Sequence, residues 1–405
     1  MKKAMTLALG ILTSVGGFFD VGNIATCTQA GARFRFQLIW AMLLATIVVI
    51  FLIEMSGRFA AVTNKALPDA IREHFGFTFW LVPFAILTVI HILVLGAEIG
   101  GVCFALHLVT GLPLQVWALP VAVLLWLFLW RSTFSAIENS TSLLGLITLC
   151  FVVAAVWHRP PLHDLLRGSL PSLPSQHPAN YWFIAVSIVG AVIAPYLFYF
   201  YSSGAVEDEW DASYIPVNRA VSVIGMAFGS VISIGAIIVA GVVLAPRGIH
   251  VDDYHQAALM LTSAFPFWGY VLFAVSMGIA CLGAAVEVAL SMSYTFAQTF
   301  GWNWGEDLAP DEDARFCLVY TAALLVGSLF MLVGMDPLQL TMITMALSAA
   351  VLPFVAIPML LLMNDRKLLH DAANGAISNV AAAAIVVLTL VLAVVSIPLA
   401  VVGGS

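Results

Sequence analysis

"GGFFDVGNIATCTQAG" occupies residues 16–31, inside the first long apolar run of the chain. A helix that crosses a bilayer should be apolar and unbroken. Here Asp20 and Asn23 lie in the middle of the run, with Gly16, Gly17 and Gly22 around them. An ionisable side chain at membrane depth is costly and by default functional. The carboxylate and amide at this weak point therefore decide how the chain is read.

Composition sets the solvent. The 405 residues are 62% hydrophobic and 9% charged, with a mean hydropathy of +1.04, whereas a soluble domain is about a quarter charged. The chain reads as an all-α polytopic membrane protein. Its net charge of −7 is spread over loops, and no basic cluster points to nucleic acid. Cys27, Cys103, Cys150, Cys281 and Cys317 fall in or beside apolar runs without CxxC spacing, as small core hydrophobes do. Lys2 and Lys3 precede an apolar run as in a signal peptide. That run continues into Asp20–Asn23 without a convincing cleavage site, so the segment is expected to be retained. No soluble stretch holds a nucleophile–base pair, a histidine metal cluster or a phosphate loop, so neither an enzyme nor a cofactor is expected.

A spanning helix needs about 20 apolar residues. Eleven candidates follow: 7–30, 36–55, 79–108, 114–131, 140–157, 181–203, 219–245, 266–300, 315–334, 337–363 and 376–401. The third and eighth are over-long and should tilt or project. With the N-terminus inside, ten Lys and Arg fall in inner connections and five in outer ones, which favours a cytoplasmic N-terminus and an external C-terminus. Arg33 and Arg35 run against the rule. The expected setting is a bacterial inner membrane. The inner loop 56–78 has helical spacing after Pro68. The acidic inner loops 204–218 and 301–314 read as solvated surface, a regulatory cation site being the sharper alternative.

Segment 6, "WFIAVSIVGAVIAPYLFYFYSSG", carries Pro195 near its middle, where proline breaks or kinks a helix. Asp20–Gly22 and Pro195 each lie about 14 residues into their segments. Five segments separate the two breaks, so a second copy of the unit would enter the membrane from the other side. That is the logic of an inverted repeat with a midplane substrate site. A single domain spanning 1–405 is expected, with repeats over about 7–157 and 181–363 and an extra helix at 376–401. Freed carbonyls and half-helix C-termini suit cations. With Asp20 and Asn23 they would form an oxygen-rich cation site.

These residues bring a resemblance into view. "DVGNIATCTQAGARFRFQLIWAMLLATIVVIFLIEMSGRFAAVT", "VLGAEIGGVCFALHLVTGLPL" and "VLPFVAIPMLLLMNDRKLL" at 351–369 resemble the NRAMP divalent-metal transporters. The resemblance runs along most of the chain and is most specific in segments 1 and 10. It implies a LeuT-like fold with inverted repeats of segments 1–5 and 6–10, an eleventh helix, and a divalent cation carried as substrate. The metal site it implies comprises Asp20, Asn23, Ala191 and Ala194.

The departures shape the substrate reading. The family's Asp-Pro-Gly-Asn is Asp20-Val21-Gly22-Asn23 here, and its Met-Pro-His in segment 6 is Ala194-Pro195-Tyr196. Leu95 replaces an acid while Glu98 remains, and Met345 aligns with the family's segment 10 glutamine. The soft ligand and the proton-linked histidine of segment 6 are gone. Oxygen ligands suit Mg²⁺ and Mn²⁺, and the pattern is similar to the NRAMP-related magnesium-transporter branch. Hard-ion transport with weak or no proton coupling is the expectation.

Other buried polar groups have two readings each. Glu98 either lies near the pathway or supports a broken-helix end. Glu287 is expected to pair structurally. Tyr196, Tyr199 and Tyr201 line the inner half of segment 6 or pack against neighbouring helices. His91 and His107 are too far apart to chelate one ion and read as core or interfacial. Two competing functions stay open: a LeuT-like carrier of an organic amine or amino acid, with Asp20 on the ammonium, and a receptor or scaffold without transport. Oligomeric state is unassigned.

Overall fold

The computed structural model describes residues 19–131, 145–174, 177–305 and 313–403. Among them are α1 (Val21–Phe34), α2 (Ile39–Thr63), α3 (Leu67–Phe75), α4 (Phe77–Thr110), α5 (Leu114–Arg131), α6 (Cys150–Trp157), α7 (Leu162–Gly168), α8 (Pro178–Val192), α9 (Pro195–Glu207), α10 (Ile215–Val243), α11 (Tyr254–Thr262), α12 (Gly269–Phe300), α13 (Ala314–Leu332), α14 (Pro337–Leu362) and α15 (Ala376–Gly403). Nine helical stretches among the described residues are long and apolar enough to cross a membrane, α8 and α9 counting together. Segment 1 is described only from its break onward, and segment 5 only as the shorter apolar stretch Leu146–Trp157. The rest of both lies outside the described residues.

The long segments are the expected ones. The 34-residue α4 and 32-residue α12 each extend about 50 Å at 1.5 Å per residue, beyond a hydrocarbon core of about 30 Å. Segment 2 differs. It continues to Thr63 and ends at Asn64 in the left-handed conformation (φ 52°), so the inner loop begins eight residues later than 55. Arg58, expected in that loop, is buried and bonded within the helix. Arg58 pairs with Glu54 at 3.0 Å and donates to Asn374 Oδ1 at 2.9 Å and to Ala372 O at 2.5 Å. After Ala66, the helix expected beyond Pro68 forms as α3, with Leu67, Pro68, Ala70 and Ile71 buried. Burial pushes the Asp69 carboxyl on this helix up to about 6 despite Arg72 beside it.

The acidic loops are less solvated than their charge implies. Helix α9 runs to Glu207, whose carboxylate accepts a hydrogen bond from the Tyr294 hydroxyl. Asp313 is buried and caps α13 through Arg315 N. Residues 306–312 lie outside the described residues. The connections at 158–180 and 246–265 carry α7 and α11. Helix α11 starts at a capping box in which Asp253 and Gln256 bond each other's backbone N–H, a spacing readable in sequence.

Burial sorts the helices by place. The most apolar stretch of Pro178–Glu207 is 94% buried inside the protein, that of Ala376–Val402 only 22%. The two segments with breaks are central, and α15 and α5 turn most of their surface outward. Helix α1 packs on α8, α10 and α14, and α4 packs along α12. Close approach at the centre depends on small residues. A methyl group placed on Gly190 of α8 would lie 1.9 Å from the Met345 carbonyl oxygen of α14. Backbone cannot move aside as a side-chain tip can, and overpacking of this kind costs about 1–3 kcal/mol or more. Gly190→Ala should therefore lower the melting temperature in detergent and the folded yield. Gly375→Ala, with nothing within 4 Å, should match the unchanged protein in both measurements.

Candidate metal site

A helix that starts inside the bilayer presents N–H groups without partners. Helix α1 does this at Val21, and two carboxylates answer it. Asp20 is the N-cap, in extended conformation (φ −114°, ψ −172°). Its Oδ1 accepts from Asn23 N at 2.8 Å and from Asn23 Nδ2 at 3.2 Å. Glu98, from the middle of α4, accepts from Val21 N at 3.4 Å through Oε2. Asp20, Asn23 and Glu98 are all buried. Glu98 thus supports a broken-helix end, one of its two expected roles, and also stands within electrostatic reach of Asp20. Its Oε1 is buried with no hydrogen-bond partner.

The half of segment 1 before the first break, whose freed carbonyls were expected to face a cation, lies outside the described residues. The described side of that break is a helix N-terminus, which presents N–H groups and attracts negative charge. Among the described residues, the side-chain oxygens nearest that end belong to Asp20, Asn23 and Glu98. Asn23 turns its amide nitrogen to Asp20, and its Oδ1 accepts from Ser233 of α10 at 3.4 Å. Carbonyls do gather at the second break. Helix α8 ends at Val192, with Ile193 N still donating to Val189 O, and α9 begins at Pro195 after an extended Ala194 (φ −68°, ψ 127°). Pro195 has no N–H to give the carbonyl of Ala191 four residues earlier. Ala191 and Ala194 are both buried.

Met345 joins the two breaks. A methyl group on Gly22 would lie 2.5 Å from Met345 Sδ and 3.2 Å from Asp20 Oδ1, while the Met345 carbonyl faces Gly190. Ala194 removes a thioether from segment 6, as read from the sequence, but α14 brings one to the same junction. In the sequence, residue 345 stands out only as the counterpart of the family's segment 10 glutamine. The signal was present in the two glycines, one in each broken segment, that let α14 approach.

The remaining predicted residues divide. Tyr196 is buried in the first turn of α9, and its carbonyl accepts from Ser291 Oγ at 3.2 Å. His91 of α4 lies against it, ring centroids 6.3 Å apart, with Nδ1 2.7 Å from Leu87 O and Nε2 3.1 Å from Ser291 Oγ. No spacing along the chain points to this proximity. His107 is half exposed and packs on His255 near the end of α4. Tyr199 is buried against Trp80, and Tyr201 donates to Asn218. Glu287 of α12 is buried within electrostatic reach of Asp20. The structural ion pair expected for it is not found among the described residues. No Lys or Arg pairs with Asp20, Glu98 or Glu287 among them either. Two broken helices thus meet where Asp20 and Glu98 converge without a basic partner among the described residues, and no group of three or more His, Cys, Asp or Glu among those residues is placed to hold a metal ion.

The chain matches the natural resistance-associated macrophage protein-like (Nramp) family over residues 10–398. It belongs to the Nramp family. It is 25% identical over 399 residues to the divalent metal cation transporter MntH of Brucella suis biovar 1 (strain 1330), covering 94% of this chain and 86% of that one. The manganese transporter of Eremococcus coleocola superposes with a TM-score of 0.78 at 19% identity, over 96% of this chain and 85% of that one. The nucleobase-cation-symport-1 family transporter Mhp1 superposes with a TM-score of 0.65 at 16% identity, over 96% of this chain and 91% of that one. The Nramp chain described here is thus an integral membrane protein with a LeuT-like fold.

If Asp20 serves both as helix cap and as ligand, its variants should separate those duties. Asp20→Asn keeps an oxygen to accept the Asn23 N–H and should stay folded while divalent-cation binding falls at least a hundredfold. Asp20→Ala should lose binding as fully and lower the melting temperature further, since removing an N-cap costs about 0.5–2 kcal/mol. Calorimetric titration with Mn²⁺ and thermal melts read the two effects. Unchanged Mn²⁺ affinity in a folded Asp20→Asn protein would remove Asp20 from the site.

Proposed function

We propose that this Nramp protein carries divalent metal cations across the membrane by alternating access, binding them where segments 1 and 6 break. The observation that carries the reading is the buried convergence of Asp20 and Glu98 on the first turn of α1, without a basic partner among the described residues. A buried carboxylate without a counter-charge is unstable in low dielectric, and a divalent cation supplies that charge. Asp20, Asn23, Ala191 and Ala194 form the binding set, and Glu98, Tyr196, Met345 and Glu287 border the path. The carriers that resemble this chain are named for divalent metal and manganese, so Mn²⁺ is the first ion to test, with Mg²⁺ beside it.

The two breaks support division into repeats of about 7–157 and 181–363, followed by the helix at 376–403. The excess of Lys and Arg on the inner side, nine to five once Arg58 is placed within α2, supports a cytoplasmic N-terminus in a bacterial inner membrane. Tyr196 and Leu95, where the family carries a histidine and an acid, support weak coupling to protons. His91 lies near the break, but both of its ring nitrogens already have hydrogen-bonding neighbours.

Flux into proteoliposomes tests the proposal. Mn²⁺ should enter down its gradient, and a pH dye inside should record little acidification. No flux of Mn²⁺, Mg²⁺ or Ca²⁺ would favour the receptor reading. Stoichiometric acidification that disappears in Glu98→Gln would show that a proton route survives without the segment 6 histidine. A second test addresses residue 194. Ala194→Met adds a thioether at the second break and should raise the ratio of Cd²⁺ to Mg²⁺ binding tenfold, about 1.4 kcal/mol. A folded variant with an unchanged ratio would mean that residue 194 does not face the ion.

A further inference from the structure

We infer that Met345 is a metal ligand and that it makes the site select thiophilic transition-metal ions over Mg²⁺. The inference rests on the proposed metal site and names the cation class that site takes. It departs from the hard-ion preference that Ala194 alone would imply.

Met345 sits at 2% exposure near the middle of α14, with its sulfur over Gly22. The distances of 2.5 Å to Sδ and 3.2 Å to Asp20 Oδ1 are measured from one point, a methyl carbon built on Gly22. Laid end to end they bound the sulfur–oxygen separation at about 6 Å. Two ligands of one ion, with bonds of about 2.3 Å to sulfur and 2.1 Å to oxygen, stand roughly 3–4.4 Å apart. A rotation of the flexible methionine side chain covers the difference. Gly22 leaves the sulfur room there, since a side chain at 22 would occupy its place.

A second observation points to a ligand at the same spot. Glu98 has one carboxylate oxygen on Val21 N, and the other is buried with no partner in normal hydrogen-bond geometry and only the Cys281 thiol beside the carboxyl group. Val21 directly precedes Gly22, so this unsatisfied oxygen belongs to the junction that Met345 reaches. On α14 itself, Thr344 Oγ1 and Ser348 Oγ flank Met345 and are also buried without partners. These groups offer one soft donor and several oxygens. A thioether binds Mg²⁺ and Ca²⁺ poorly and favours softer ions, while carboxylate oxygens accept either class. The set therefore suits Mn²⁺ and binds Cd²⁺ more tightly still.

X-ray absorption at the cadmium edge reads the bond directly. Protein loaded with Cd²⁺ should show one sulfur neighbour. Selenomethionine-labelled protein should replace it with selenium, which excludes the cysteines and needs no substitution. A sulfur shell that persists in the labelled protein, or no sulfur at all, overturns the inference. Competition binding supplies the second readout. Met345→Leu, of similar volume and without a donor atom, should lower the ratio of Cd²⁺ to Mg²⁺ affinity at least tenfold. Gly22→Ala, which displaces the sulfur tip, should lower the ratio in the same direction. Met226→Leu, remote on α10, should leave it in place. An unchanged ratio in folded Met345→Leu overturns the role of Met345. If Asp20→Asn still loses all divalent binding in that case, the metal site itself stands. Absence of any divalent binding by the unsubstituted protein would instead overturn the proposed function.

Discussion

The constraint on which this protein depends is the hydrogen bonding of a helix that starts inside a membrane. In hydrocarbon an unpaired N–H costs several kcal/mol, so α1 can begin at Val21 only because acceptors wait there. Asp20 bonds Asn23 N from within the same turn, and Glu98 reaches Val21 N from across the bundle. Both acceptors are carboxylates, which a helix N-terminus holds well. The break thereby concentrates negative charge at the place where its own backbone needs it. Structural need and affinity for cations have the same origin here, and neither requires the proline that the family usually carries at position 21.

The second consequence is close packing around the junction. A half-helix with a free end gains rigidity only from its neighbours, and α8 and α14 supply it through Gly190 and Gly22. Contact of Gly190 with the Met345 carbonyl fixes the height of α14 beside α8, and that height brings the Met345 side chain over Gly22. One residue therefore registers three elements at once. Polar cross-bracing runs the same way: Ser233 of α10 holds Asn23, and Ser291 of α12 holds the Tyr196 carbonyl of α9. Each broken segment is tied by a hydroxyl to an unbroken helix, so movement of one pair of elements carries the bound ion's surroundings with it.

Much of this was legible in the sequence, for physical reasons. Length and hydropathy delimit spanning helices directly, so nearly all the long segments lie where apolar runs place them. The breaks were legible because Asp20, Gly22 and Pro195 conflict with continuous helix wherever they occur. Segment 2 was cut short ahead of Arg58, and only its partners Glu54 and Asn374, the latter 316 residues away, show why the helix passes it. Met345 and His91 were hidden for a related reason. Each is an ordinary residue on its own helix and gains meaning from what another segment places opposite. A single sequence records which residues a helix carries and does not record the rotation at which two helices meet.

The competing reading as a carrier of an organic amine turns on space. A positive ammonium would suit Asp20 as well as a metal ion does by sign. It brings a carbon skeleton, however, and the helices around the junction pack closely: a single methyl group on Gly22 would meet Met345 at 2.5 Å, and one on Gly190 would meet backbone at 1.9 Å. The protein does contain a cavity of about 750 Å³, but it is lined by Ile50, Glu54, Arg58, Arg219, Asp371 and Ser378, none of them at the breaks. Charge points the same way. Glu98 and Glu287 both lie within electrostatic reach of Asp20, and a doubly charged ion interacts with such carboxyl groups more strongly than a monovalent ammonium does. A small, doubly charged substrate suits this junction better, and the ligands proposed for it are groups that already keep the broken helices in place.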